Sequence, residues 1–327
     1  MNRPFVKGRT RIRLRDSIDG APEEDGGIYF SSEKKNYQFI PSGCTVLDCV
    51  LGGGWPLGRV VNIVGDRSTG KTLLAMEAIA NFFLKYDNGW VRYVEAESAF
   101  DEDYAKALGI PMGRVEEKHD LDTVEAVFGD LDNTYKKKPG IINDPGLYII
   151  DSLDALSDAA EMEREIGQGS FGAAKAKKLS ELFRRLVRRL TQQNICVMII
   201  SQVRDNIGAM FGEKHSRSGG KALDFYASQI LWLSQTKTLR RTISKIERPY
   251  AVRIKARCKK NKIGLPFREC EFNIRFGYGI EDIEAGQEFL QTVGKAAPKT
   301  PEALREAVIR EWYNVEKRFL PEKRKYE

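Results

Sequence analysis

Histidine is nearly absent from the chain: 327 residues contain two, His119 and His215. Two imidazoles leave little room for a His-based triad or a histidine metal cluster. Cysteine is sparse and odd in number. Cys44, Cys49, Cys196, Cys258 and Cys270 form no CxxC pair. They read as reduced thiols of a cytosolic chain, not as a disulfide frame or a zinc site. No apolar run reaches 18 residues, and the longest, Ile195 to Ile200, has the length of a short strand. A membrane-spanning helix is therefore excluded, and no membrane partner is expected. The first residues carry charge but no apolar h-region, so no secretory leader is expected. No repeat of 20–50 residues is visible.

What is present suits a folded core. Apolar residues make up 42% and aromatics 10%, enough to bury a sizeable interior. Lys and Arg number 53 against 46 Asp and Glu, a net charge of +7. The excess is clustered. Between Thr236 and Lys262 there are eleven basic residues and one acid, Glu247. Arg3, Lys7, Arg9, Arg11, Arg13 and Arg15 all precede the first acid, Asp16, and Arg184, Arg185, Arg188 and Arg189 share a helical stretch. Each run alone reads as a solvated face. Three of them beside a phosphate loop point to a polyanion such as nucleic acid.

Residues 1–37 read as a basic arm and linker, 38–286 as the core, and 287–327 as a short helical extension. In the core, strands alternate with helices: Val60–Val64, a helix from Lys71 to about Tyr86, Val91–Glu95, Leu147–Ile150, a helical pattern over Lys175–Asn194, then Ile195–Ser201. Such alternation with buried strands implies an α/β fold with a mainly parallel central sheet flanked by helices. Tyr250–Lys259 and Phe267–Arg275 alternate in type and predict an antiparallel hairpin at one edge. Pro301–Phe319 predicts an amphipathic helix.

Gly65, Asp66, Arg67, Ser68, Thr69, Gly70, Lys71 and Thr72 fit the phosphate-loop pattern GxxxxGK[ST]. An apolar strand precedes it and an apolar-periodic helix follows. Backbone N–H groups of such a loop curl around phosphates at a helix N-terminus. Lys71 supplies a cation to the terminal phosphates, and the Thr72 hydroxyl can ligate Mg²⁺. The strand ending in Asp151 has the shape of the second, acidic metal-site element. Hydrolysis also needs a group that orients or deprotonates water. Glu95 and Glu97 fall on the same side of a strand, so spacing alone does not choose between them. Asp101, Glu102 and Asp103 read as helix-cap and first-turn residues. Gln202, at a strand end, is either a γ-phosphate sensor or a strand-end hydrogen-bonder.

Several further segments carry a resemblance. They are Leu51–Arg59 before the phosphate loop, Glu95, Glu97, Asp101, Tyr104 and Gly109 after it, and Ile150–Leu156. Glu165–Gly167, Ser201–Arg204, Ile207–Gly212, Gly219–Ser228 and Lys260–Lys262 with Pro266 and Phe267 continue the series. In order and spacing the chain resembles the RecA recombinase family, in a phage-type or divergent bacterial form, over about Ile40 to Gly286. The resemblance implies a RecA-like P-loop ATPase core using ATP and Mg²⁺, with Thr72 and Asp151 at the metal. It implies Glu97 as the catalytic glutamate, with Asp101 and Tyr104 beside the base. It implies that Gln202 couples the γ-phosphate to DNA. Arg164 to Gly172, including Gly167, matches a first DNA loop. Arg204 to Gly220 matches a second, including Ile207, Gly208, Met210, Phe211, Gly212, Arg217 and Gly219. Lys260 and Lys262 match lysines that reach the ATP of a neighbouring copy in a head-to-tail assembly.

The implied function is a DNA-dependent ATPase that coats single-stranded DNA as a filament. It would pair that strand with double-stranded DNA, in the cytoplasm of a bacterial or phage-infected cell. An accessory DNA-binding ATPase that makes no filament is the second reading. A replicative helicase on the same core is the third, against which stands the Lys-Asn-Lys hairpin. Three features depart from the family pattern. Arg67 stands where the family usually has an acid. Asp205 and Asn206 replace a more basic or apolar pair. Residues 1–39 show no counterpart of the family's N-terminal docking helix.

Overall fold

The computed structural model describes residues 37–97, 100–137, 144–162, 172–190, 193–205, 215–217 and 220–322. The basic arm before residue 37 lies outside the described residues.

The described chain opens with a short strand β1 (Phe39–Ile40), helix α1 (Thr45–Leu51) and β2 (Trp55–Pro56), which pairs with β1. Then come β3 (Val60–Gly65), α2 (Lys71–Lys85), β4 (Trp90–Glu95), α3 (Glu102–Ala107) and β5 (Val115–Lys118). Next are α4 (Val124–Lys137), β6 (Gly146–Asp151), α5 (Ala159–Met162), α6 (Gly172–Leu190) and β7 (Ile195–Asp205). The last part comprises β8 (His215–Arg217), α7 (Gly220–Tyr226), β9 (Gln229–Ile243) and β10 (Ile246–Asn261). After them stand β11 (Arg268–Arg275), β12 (Gly279–Ile280), α8 (Asp282–Thr292) and α9 (Pro301–Lys317).

The main sheet runs β12-β11-β10-β9-β3-β7-β6-β4-β5, with β8 paired to β7. From β9 to β5 the strands are parallel, and from β9 to β12 they are antiparallel. The α/β class and mainly parallel centre are as the sequence implies. Parallel strands are covered on both faces, which is why β7 begins as an unbroken apolar run. Its alternate residues enter two cores. Cys196, Met198 and Ile200 pack under α1, α2, α8 and α9. Ile195, Val197 and Ile199 pack under α4, α6 and α7. Helix α6 buries Leu179, Phe183, Leu186 and Leu190 along one stripe and exposes Arg184, Arg185 and Arg189. That is the 3.6-residue amphipathic pattern.

The expected hairpin forms as β10–β11, with Ala256 opposite Cys270. It is not itself the edge. β12 lies outside it, and on its other side β10 pairs with β9. The run from Thr236 to about Tyr250 is thus a two-stranded ribbon, while Ala251–Cys258 lie between β9 and β11, and the basic residues of both parts are partly neutralised. Arg253 pairs with Glu271 and Glu288, Lys255 and Arg257 with Glu269, and Arg240 with Glu247. Cross-strand placement brings these charges together where a linear count shows only a basic block. Lys237, Lys245 and Arg248 remain exposed on the distal half. Helix α8 runs through the expected 286/287 boundary. Helix α9 caps itself with Thr300, places Pro301 in its first turn, and buries Leu304, Ala307 and Val308. No helix among the described residues is long and apolar enough to cross a membrane. All five cysteines are free thiols.

One buried acid costs stability. Asp48 on α1 accepts a hydrogen bond from Ser42 N at 2.8 Å. Burial pushes its carboxyl from 3.8 up to about 7, helped by nearby Asp282 and opposed by the Ser42 bonds and Arg305. The native state therefore holds a proton that the unfolded chain releases, and stability falls as pH rises through that window. Asp48→Asn keeps an acceptor for Ser42. It is expected to raise stability at pH 8 by up to a few kcal/mol, with the gap closing near pH 4. Denaturant unfolding at the two pH values checks this; a constant difference contradicts it.

Candidate functional site

The site is built where β3, β4 and β6 end, with β7 continuing past Gln202 to Asp205, at the carboxyl edge of the parallel sheet, the edge where open α/β sheets bind ligands. β3 delivers Gly65. Asp66, Arg67 and Ser68 form an exposed turn, Thr69 is buried, and Gly70 leads into α2. Gly70 has φ +84°, and a Cβ there would sit 2.4 Å from Ile274 Cδ1, so only glycine fits. Thr69 Oγ1 donates to the Asp66 carbonyl at 2.8 Å, and Lys71 Nζ donates to the same carbonyl at 2.7 Å. Burial lowers the Lys71 pKa, against the opposing pull of Asp151, Glu97, Asp66 and Asp154.

Asp151 is the junction of the site. Its Oδ2 accepts from Thr72 Oγ1 at 2.8 Å and from the Tyr93 hydroxyl at 2.6 Å. Its carbonyl accepts from Ala96 N at 2.8 Å. Burial raises its pKa, while the Tyr93 and Thr72 bonds oppose the rise. Sequence reasoning missed Tyr93, which sits at an inward position of β4. The signal was there in principle: a buried tyrosine needs a partner for its hydroxyl. A hydroxyl and a carboxylate side by side suit a hard divalent cation that keeps water and phosphate oxygens as its other ligands.

The structure separates the two glutamates. Glu95, the last residue of β4, accepts from Phe100 N at 3.2 and 3.1 Å. Glu97 lies past the strand end, exposed, and accepts from Gln202 Nε2 at 2.8 and 3.0 Å. The Ser152 hydroxyl also donates to Glu97. Gln202 N is held by Asp154 at 2.7 Å. Strand parity no longer applies because the backbone bends at Ala96 and Glu97. Asp101 caps α3 by accepting from Tyr104 N at 2.9 Å, and Tyr104 packs half-buried against the core.

Most of the expected DNA segments lie outside the described residues. Arg164, Gly167, Ile207, Gly208, Met210, Phe211, Gly212 and Gly219 lie outside the described residues. Gly172 begins α6 and Gly220 begins α7. Arg204 on β7 pairs in register with Ser216 on β8, and Arg217 with Val203. The β7–β8 pairing was not expected from sequence.

Lys260 and Lys262 are not part of this cluster. Lys260 pairs in register with Ile230, and Ile230 with Asn62 near the start of β3. The lysines thus stand at the amino edge of the sheet, whereas Gly65 stands at the carboxyl edge, paired with Leu233. At ~3.3 Å per residue the two positions are about 10 Å apart along the strand, before any offset between strands. Lys260 is half-buried and Lys262 exposed, and each ammonium is held by backbone carbonyls. Lys260 Nζ donates to the carbonyls of Asp224 and, at 3.0 Å, Phe225. Lys262 Nζ donates to the Phe225 carbonyl at 3.1 Å. These are the last carbonyls of α7, where cations are favoured.

The comparisons with known proteins agree with this geometry. The family model described as the RecA N-terminal domain matches residues 26–281. The chain belongs to the RecA family. It is 35% identical over 252 residues to Protein RecA of Arthrospira platensis, covering 77% of this chain and 66% of that one. With Protein RecA of Gloeobacter violaceus it is 36% identical over 244 residues, covering 75% and 63%. With that of Leifsonia xyli it is 36% identical over 251 residues, covering 76% and 67%. The chain thus spans about two thirds of the length of the curated relatives it matches.

The Tyr93–Asp151 bond gives a local test. Tyr93→Phe removes a donor from a buried carboxylate and is expected to cost about 1–3 kcal/mol. Urea unfolding measures it; an unchanged midpoint and slope would mean the hydroxyl contributes nothing.

Proposed function

We propose that this RecA-family chain is a DNA-dependent ATPase that assembles head-to-tail on single-stranded DNA and promotes homologous pairing with a duplex. The observation that carries the reading is the separation of Lys260 and Lys262 from the chain's own phosphate loop. Two lysines at the opposite edge of the sheet serve a nucleotide best if that nucleotide belongs to a neighbouring copy.

In this reading the 65–72 loop and Lys71 hold the phosphates of ATP. Thr72 and Asp151 would hold Mg²⁺, which would neutralise charge on the terminal phosphates. Asp101 and Tyr104 lie beside the base. Glu97 accepts a proton from the attacking water as the bond from the γ-phosphorus to the bridging oxygen breaks, leaving ADP and phosphate. The neighbour's Lys260 and Lys262 stabilise the developing charge, so a lone protomer has an incomplete site. Gln202 connects the two functions. It bonds Glu97 at one end, and its strand β7 leads into the 206–214 segment that the family resemblance assigns to DNA. Binding of a DNA strand to that segment would draw Gln202 away and release the Glu97 carboxylate for water.

Single-stranded DNA would be held by phosphate contacts and base stacking at the segments around residues 164–172 and 204–220. Arg204, Arg217 and Phe211 are the residues proposed to contribute most. Binding should weaken steeply with salt and show little sequence preference. Fluorescence anisotropy with unrelated oligonucleotides at several salt concentrations tests that part; salt-insensitive preference for one duplex would overturn it.

The chemistry has its own test. Glu97→Gln is expected to bind ATP normally and to lose hydrolysis by about 10²-fold or more, in the range of a general base. Glu95→Gln is expected to keep most activity, since Glu95 serves the Phe100 amide. Lys71→Ala should abolish nucleotide binding. Turnover per protomer should rise with protein concentration and with DNA. Full DNA-stimulated turnover in a demonstrably monomeric sample would favour the accessory-ATPase reading instead.

A further inference from the structure

The Lys260–Lys262 turn is held on three sides, and one of its holders belongs to the carboxyl-terminal helix. Between the two lysines, Asn261 is buried. Its Nδ2 donates to the Leu51 carbonyl at the end of α1 at 2.9 Å, and its Oδ1 accepts from Ile263 N and Gly264 N, each at 2.9 Å. Lys262 N donates to the Ser228 carbonyl at 2.8 Å. The far side of the turn lies against Gly52, where an added Cβ would be 3.1 Å from Gly264 Cα. The entry and middle of the turn are therefore fixed by α1 and by the start of β9.

The exit is fixed differently. Phe267 adopts φ +64°, a left-handed conformation unusual for a bulky residue, and its N donates to the Cys258 carbonyl at 2.7 Å. The next residue, Arg268, is gripped by Glu316 on the last turn of α9. Nε donates to Oε1 at 2.8 Å and a terminal nitrogen to Oε2 at 2.5 Å. Glu316 is 14% exposed and Arg268 29%. A paired, two-bond contact of this kind sets direction as well as distance. The same helix is tied to α1 at its other end. Arg305 donates to Asp282 Oδ2 at 3.2 and 3.1 Å, and Asp282 Oδ1 accepts from Thr45 N at 2.6 Å. Helices α9 and α1 and the turn thus form a closed frame. Trp312 and Tyr313 of α9 and Ile263 and Leu265 of the turn line the small cavity, about 80 Å³, left inside it.

We propose that Glu316 is a positioning residue for the lysines of the shared site: by gripping Arg268 it fixes the exit of the 261–267 turn and hence the reach of Lys260 and Lys262 toward the neighbouring nucleotide. The inference rests on the reading that these lysines act across an interface. It gives α9 a part in hydrolysis without any contact to nucleotide or DNA. A side chain held loosely at the far end of a tight turn moves the catalytic group at its near end, and small misplacements of reacting groups are costly.

The test uses the full chain carrying Glu316→Gln, which keeps shape and polarity but loses the charged grip. It should bind a fluorescent ATP analogue as the unsubstituted protein does. Its DNA-stimulated kcat should fall at least about fivefold with KM for ATP unchanged, within the roughly 10²-fold that an ångström of misplacement costs. Mixing it with Glu97→Gln protein should restore activity, because some interfaces then join an intact lysine turn to an intact Glu97. The exchanged pair Arg268→Glu with Glu316→Arg should recover most of the rate. An unchanged rate in Glu316→Gln overturns the proposal. So does a loss that Glu97→Gln fails to rescue while it rescues Lys262→Ala, since the defect would then lie outside the lysines. If Lys262→Ala is not rescued either, the shared-site reading itself falls, and this inference with it.

Discussion

The hydrogen bonds to the Asp151 carboxylate hold together everything the site needs. Asp151 closes β6, receives Thr72 from the first turn of α2, and receives Tyr93 from β4. Burying a carboxylate this deeply raises its pKa and works against folding. The two hydroxyl donors offset that cost, and in doing so they fix the phosphate-loop helix to the centre of the sheet. A cation bound between Thr72 and Asp151 would favour the ionised form that burial opposes. Under the proposed function, the cost of burying Asp151 and the binding of a metal-nucleotide complex would have one source.

The sheet then distributes the remaining parts by edge. The carboxyl edge carries Glu97 and, on β7, Gln202 and Arg204, the start of the second proposed DNA segment. The amino edge carries the Lys260–Lys262 turn. A parallel sheet cannot bring its two edges together within one copy, so the proposed site, with half at each edge, would need a row of copies. In the resting protomer the two lysines neutralise the carboxyl end of α7, a helix that starts where the 204–219 segment ends. They are satisfied but not sequestered, since backbone carbonyls are weaker partners for an ammonium than phosphate is.

Much of this was legible in the sequence, and the failures have physical reasons. The phosphate loop and Asp151 are contiguous motifs on strands buried on both faces, so their pattern is local and strong. Glu95 and Glu97 were not separable because the strand-parity argument assumes an extended chain, and the chain bends at residue 96. The distal ribbon of β9 and β10 was not recognised. Its residues from Ser234 to Pro249 are almost all exposed on both faces, so no apolar alternation marks them. Register shifts near Pro249, Arg253 and Cys258 break the period further. Strand β8 is too short to show a pattern. The salt-bridge partners of Arg253, Lys255 and Arg257 come from β11 and α8, and the grip of Glu316 on Arg268 spans 48 positions. Such long-range contacts leave no local trace.

The central claim is that an incomplete protomer becomes a complete enzyme by joining copies of itself along DNA. Electron microscopy of the protein with single-stranded DNA and a non-hydrolysable ATP analogue tests it most directly. Continuous helical filaments whose density places the 260–262 turn of one copy against the phosphate loop of the next are the expected result. DNA decorated by separate monomers, or closed rings with that turn facing solvent, would contradict it.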